Sequence, residues 1–498
     1  MITLCAHSGL SRQRGAAFIV MLVILIMGVA AFLVSSLSSI ALQAKRDEVT
    51  ANALKQAKEA LIGYAASVVI TNPSAASPRP GNLPCPDINN DGSAEPSCSG
   101  NAIGRLPWKT LGLPDLRDSN GERLWYAVSI NFKKSPVTPC TAPGQSGCLN
   151  SNSSGTITVH ASDGSLLNDG STNNGAVAVV IAPGEVLIRQ GETLPQNRSC
   201  SINVDCDSAD ICTASPPTLT PKCNAANYLD IFNDYLDKIN SNLPHTLLNE
   251  DNANFANSSA SDGFIQGRIK IHDSIHNTDN VIINDQILVI TQDNIMQAVQ
   301  RRVAGEVKQC LSEYANDPQN MGRYPWAVLP GDYPSYLDGV DHLFGRIPDA
   351  PFQQTCLSSG GNLSDLGTNK CSDTPTIGMK NNWTGNCNID SLSGWWFNWK
   401  DLVFYGLSDA YKPTIPLVAP ACGTCLSVST PAVLANKNFI VIVAGKALSS
   451  PDQTSRASIK TDPSLYLEGG NQNADQSGGY NFIQNTPSAT FNDTVIFK

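Results

Sequence analysis

Residues Arg12–Leu42 read RQRGAAFIVMLVILIMGVAAFLVSSLSSIAL, and the rest of the chain is organised around this stretch. Arg12 and Arg14 precede Gly15, and from Ala16 to Leu37 about 22 residues follow without a charge. At ~1.5 Å per residue such a run is ~33 Å long as a helix, enough to span a bilayer. It has no small-residue cleavage site after a short apolar core, so it is not an ordinary secretory peptide. With basic residues ahead of it, the positive-inside rule keeps the N-terminus cytoplasmic and exports everything after Leu42. Downstream, Leu54, Ala57, Leu61 and Tyr64 recur at helical spacing, so the helix is expected to continue to Ile70, where Asn72-Pro73 ends it.

Composition agrees with export. The chain has 498 residues, 15% of them charged, and a formal net charge of −10, which is no electrostatic footprint for nucleic acid. Of its 15 cysteines, Cys5 lies ahead of the apolar run and the others follow it. That distribution predicts disulfides in an oxidising compartment. The local pairs favoured by spacing are Cys85–Cys98, Cys140–Cys148 and Cys422–Cys425.

The Arg-Gly step into an apolar helix resembles the class III leader of type IV pilins and type II secretion pseudopilins. The resemblance implies cutting by a prepilin peptidase between Gly15 and Ala16 and methylation of Ala16. The AAFIVMLVIL wording is similar to large minor subunits, the tip pseudopilin and the X-type minor pilin. The family usually carries Glu at the fifth mature position, where it is thought to neutralise a neighbour's terminal amine. Val20 stands there, which favours a minor subunit at a filament tip. LPCPD, GRLPWKTLGLP and DSNGERLWY, in that order, also resemble large pilin-like proteins. The implied partners are the peptidase, other pilin or pseudopilin subunits and the inner membrane. The implied function is a non-enzymatic minor subunit of a type IV pilus or a type II secretion pseudopilus, inner-membrane anchored with periplasmic heads. The alternative is a membrane-tethered periplasmic binding or adhesion module that does not polymerise.

The second half reads as a degenerate copy of the first. DNIMQAVQRRVAGEVKQCLSEYA parallels the soluble part of the first helix, VFYGLSDAYKP parallels LWYAVSINFKK, and NFIVIVAGKAL parallels GAVAVVIAPGEVL. YNFIQNTPSATFNDTVIF parallels GFIQGRIKI with NVIINDQILVI, and GRYPW at 322–326 is paired with GRLPW at 104–108. Repeats of this kind change the fold expected. The resulting expectation is α+β. A leader (1–15) and a long transmembrane and amphipathic helix (16–70) precede two tandem, disulfide-stapled pilin-like heads (71–293 and 294–498). The other reading is one large α+β domain whose strands share composition.

Among chemical candidates, Asp87, Asn89, Asp91, Ser93 and Glu95 place oxygen side chains at alternate positions, with Gly92 at the sixth, as in the first part of a calcium loop. Position twelve is Cys98 rather than Glu, and the other reading is a plain Asx turn closed by Cys85–Cys98. Cys422-Gly-Thr-Cys425 has redox spacing but precedes a strand-like run, which favours a structural bridge. His272 and His276 lie in a strand-like stretch, and Trp395, Trp396, Phe397 and Trp399 read as core. No G-x-S-x-G, phosphate-binding glycine loop or H-E-x-x-H is present, so nothing argues for catalysis.

Overall fold

The computed structural model describes residues 14–68, 79–134, 147–185, 263–273, 278–332, 342–351, 394–413, 425–472 and 481–498, with shorter pieces between them. Two helices, α1 (Arg14–Ser67) and α2 (Gln292–Asn316), each lie on a four-stranded antiparallel sheet. The first sheet is built from β1 (Ala102–Arg105), β2 (Trp125–Val128), β5 (Ala178–Ala182) and β11 (Gln286–Ile290), in that spatial order. Between them in sequence come β3 (Thr158–Ala161), β4 (Leu166–Asn168) and β8 (Gly263–Gln266), which form a small sheet ordered β4-β3-β8. Two hairpins, β6 (Asp210–Thr213) with β7 (Lys222–Ala225) and β9 (Ile269–Asp273) with β10 (Thr278–Ile283), complete the first half.

The second half runs the same course. Its large sheet is β12 (Phe344–Arg346), β13 (Val403–Leu407), β16 (Phe439–Val443) and β18 (Thr494–Phe497). Its small sheet is β15 (Ala432–Lys437), β14 (Leu426–Thr430) and β17 (Asn481–Ile483). In both small sheets the long-range pairing, β3 with β8 and β14 with β17, is parallel. Alternation along the central strands explains the layering. Tyr126, Val128 and Val180 face the helices, while Trp125, Ala127 and Ile181 face the small sheet. In the second half Tyr405, Val441 and Val443 face the helices, while Phe404, Ile440 and Ile442 face the other way.

The correspondence extends to single hydrogen bonds. Gly81 and Gly322, at φ +97° and +82°, turn the chain back after each helix and donate N–H to Ala65 and Ala315 O, each at 3.0 Å. A left-handed backbone favours glycine at both places. Tyr126 Oη donates to Pro84 O and Tyr405 Oη to Pro325 O, each at 3.2 Å. This register corrects one motif match: GRYPW at 322–326 corresponds to GNLPC at 81–85, and GRLP at 104–107 corresponds to GRIP at 345–348. A Cβ on Gly104 would lie 2.7 Å from Asp87 O, and one on Gly345 would lie 1.8 Å from Val328 O. Close backbone approach therefore keeps the glycine of each Gly-Arg step.

The halves share one core. α1 contributes Leu54, Ala57 and Leu61, and α2 contributes Val299, Val303, Val307 and Leu311. Trp395, Trp396 and Trp399 are buried in the same cluster.

The expectation of a membrane-spanning helix is corrected. Among the described residues no helix is long and apolar enough to cross a membrane. α1 has the expected length, 54 residues, and its exposed Lys45, Arg46, Asp47 and Glu48 follow the apolar run at a density too costly for a bilayer interior, so this part of the helix stands outside any apolar stretch.

Candidate functional site

α1 separates into two parts. From Thr50 onward one face is buried: Thr50 is 2% exposed and Ala57 is fully buried. Ahead of Thr50 the described side chains stand in the open, with Met21 at 75%, Leu25 at 64% and Leu42 at 58% exposure. Leu22, Val23 and Met27 are exposed as well. From Arg14 to Val49 the helix is about 54 Å long at ~1.5 Å per residue. An open apolar surface of this kind marks an interaction site. Gly15 and Ala16, the residues expected to flank a processing cut, fall in the first turn of this helix.

The second feature is one the sequence reading missed. In the first half, Asp285 Oδ2 accepts from Asp237 N and from Asn252 Nδ2, each at 2.9 Å. Asp237 Oδ2 in turn accepts from Asn284 N at 2.7 Å and Asp285 N at 3.2 Å. Asn252 Oδ1 accepts from Ile265 N at 2.8 Å. The second half repeats this. Asp493 Oδ2 accepts from Glu468 N and Asn471 Nδ2, each at 2.9 Å. Glu468 Oε2 accepts from Asn492 N and Asp493 N, and Asn471 Oδ1 accepts from Ile483 N. Burial and then the nearby Glu468 carboxylate raise the Asp493 carboxyl well above its ordinary range. Each network ties the start of the last sheet strand to the small sheet. Its chemistry is that of a clamp, because its carboxylates accept from backbone N–H groups and from an asparagine amide. The signal was present as Asn-Asp ahead of each last strand, Asn284-Asp285 and Asn492-Asp493.

A buried arginine accompanies each network. Arg105 lies over Trp125 and Tyr235, 4.0 and 4.3 Å from the ring centres. Arg346 lies over Phe404 and Tyr466, at 5.0 and 5.1 Å. Stacking on aromatic faces partly offsets the cost of burying the charge.

No family model, no curated protein and no solved structure matches the chain. The site is therefore read from its own geometry.

The five oxygen residues nominated for calcium lie in one loop, but they face inward to its backbone. Asp87 Oδ2 accepts from Gly92 N at 2.7 Å and Oδ1 from Asp91 N at 3.2 Å. Asn89 and Asp91 accept from backbone N–H groups two residues on, and Glu95 Oε1 accepts from Ile88 N at 3.4 Å. Ser93 enters through its backbone N–H, which donates to Asp91. Lys109 donates to Asp91 O, so an ammonium already sits against the loop. Among the described residues no group of three or more His, Cys, Asp or Glu is placed to hold a metal ion. The three cysteine pairs favoured by spacing, Cys85–Cys98, Cys140–Cys148 and Cys422–Cys425, are bonded. A further bridge, Cys310–Cys387, staples α2 to a segment far along the chain. His276 lies outside the described residues.

Proposed function

We propose that the chain is a non-enzymatic, pilin-like assembly subunit. Its α1 packs among the apolar helices of neighbouring subunits, and its two helix–sheet units form a large head at the end of a type IV pilus or type II secretion pseudopilus. The observation that carries this reading is the single helix Arg14–Ser67, anchored in the core from Thr50 and bearing exposed Met21, Leu25 and Met27 beyond it. Burial of such side chains against like helices gains about 25 cal/mol per Å² of apolar surface. The disulfide-rich head fits an exported location, and Val20 fits a subunit with no neighbour above it.

N-terminal mass spectrometry of the protein made with a prepilin peptidase tests the reading. The expected product begins at a methylated Ala16. An intact Met1 terminus in the presence of active peptidase refutes it.

A further inference from the structure

The repeat allows each surface of one unit to be compared with its counterpart in the other. Setting Ala65 on Ala315 places Leu42, Gln43, Arg46 and Asp47 of α1 on Gln292, Asp293, Met296 and Gln297 of α2. Each quartet lines a cleft among the described residues. One cleft, of about 820 Å³, lies between the α1 quartet, Glu185 and Asn284. The other, of about 390 Å³, lies between the α2 quartet, Lys446 and Asn492. Glu185 follows β5 as Lys446 follows β16, and Asn284 precedes β11 as Asn492 precedes β18, so the clefts occupy one position of the repeat.

They differ in what covers them. The second cleft is roofed by a loop of the first unit. Leu149 is fully buried, and its N–H donates to Asn398 Oδ1 at 2.7 Å. Gln292 Nε2 donates to Ser151 O, and Gln300 Nε2 donates to Ser151 Oγ at 3.0 Å. Asn152 Oδ1 accepts from Arg456 and from Ala447 N. Beneath this loop Gln292 is 5% and Met296 3% exposed. Their counterparts Leu42 and Arg46 are open.

We propose that the first unit's cleft is the docking site for a loop of a separate, neighbouring subunit, seated as Leu149–Ser153 is seated on the second unit. This rests on the assembly reading above and gives it a direction. The loop it fits is short and amide-rich with one apolar anchor, like Leu149-Asn150-Ser151-Asn152, and it covers Leu42. The second unit has no such loop to give onward. Cys425 passes directly into β14 at Leu426, whereas Leu149–Thr156 intervene between Cys148 and the matching Ile157. Stacking enters at the first unit and stops at the second, as an end subunit requires.

The test is fluorescence anisotropy with the full chain and a labelled peptide of residues 140–156, closed by its own Cys140–Cys148 disulfide. Saturable binding is expected, weakened at least tenfold by Leu42→Arg and by Asn120→Trp, Asn120 being a further lining residue of the first cleft. Both residues are exposed, so both variants should keep the parent melting temperature. Asp293→Arg and Gln297→Arg, at the roofed second cleft, should leave peptide binding unchanged. Absence of saturable binding overturns the proposal. So does binding that ignores the Leu42 and Asn120 changes, or that is lost on changes at the roofed second cleft. Processing at Gly15 is independent of this measurement, so the assembly reading and the docking site can fail separately.

Discussion

α1 and α2 present the same positions to the same core and differ in what lies ahead of them. Ala53, Leu54, Ala57 and Leu61 match Val303, Ala304, Val307 and Leu311, and all eight are buried. α2 then stops at Thr291, whose N–H donates to Asn294 Oδ1 at 3.1 Å, as a capping box does. α1 runs on, 54 residues against 25, with apolar side chains in the open. The helix–sheet unit is complete without that extension. The extension therefore contributes nothing to the core that the two helices share.

The largest expected effect comes from a staple found on one helix only. Cys310 bonds Cys387, while Ala60 stands at the matching position of α1. Cys310→Ser should cost about 2–5 kcal/mol, read as a fall in the urea midpoint. Because one core runs through both units, the whole head should unfold in a single, shifted transition. Two transitions, with only one moved, would break the picture of a shared core.

The clamps come next. Asp285→Ala and Asp493→Ala each leave a backbone N–H and an asparagine amide without their acceptor. A buried unsatisfied donor costs about 1–3 kcal/mol, and the two substitutions should cost alike within ~1 kcal/mol. Chemical denaturation of both variants measures this. A large cost for one and none for the other would show that the repeat keeps the geometry of the clamp but not its role.

The two clamps also show what could be read ahead of the structure. In the first half Asp237 and Asn252 are separated by a long connection, and in the second Glu468 and Asn471 are three apart. No spacing rule links such sets, and only the folded register brings them together. The central strands were legible because β-branched runs such as AVVIA and FIVIV alternate between two buried faces. The helix register was legible from its apolar period. The GRYPW match misled because each unit carries Gly-x-x-Pro both after the helix and along the first sheet strand, as GNLP and GRLP in the first unit and GRYP and GRIP in the second. The leader stretch misled on membrane crossing because hydropathy reads composition alone, and among the described residues no helix is long and apolar enough to cross.

A smaller effect separates the roles of charge and shape in the second clamp. Burial, then Glu468, raises the Asp493 carboxyl above its unfolded value. An acid raised on folding binds its proton more tightly when folded. Its contribution is thus fully present below the unfolded pKa of about 3.9 and is lost as pH rises through the folded value. Asp493→Asn keeps an acceptor for Glu468 N and Asn471 Nδ2 but cannot ionise. The variant should be destabilised less, or gain stability, relative to the parent as pH is raised from 4 to 7. Arg456 is lowered only to about 10 by its burial, so it stays charged across that window. Parallel melting curves at both pH values, with a constant difference between the proteins, would contradict the ionisation argument.

The smallest expected effect concerns the Asp87–Glu95 loop; in the second unit Val328 takes the place of Asp87. Burial, ahead of the backbone hydrogen bonds that oppose it, raises the Asp87 carboxyl. Lys109 donates to Asp91 O, and Arg123 donates to Asn90 Oδ1. A calcium ion would have to displace backbone donors from Asp87, Asn89 and Asp91 and then sit beside two cations. The bond Cys85–Cys98 already closes the loop without a metal. Melting temperatures in millimolar calcium and in chelator should therefore coincide, and Asp87→Ala should lower both equally, since the carboxylate holds the turn at Gly92. A calcium-dependent rise in the parent that Asp87→Ala abolishes would instead make the loop a cation site that the hydrogen bonds merely hold in its empty form.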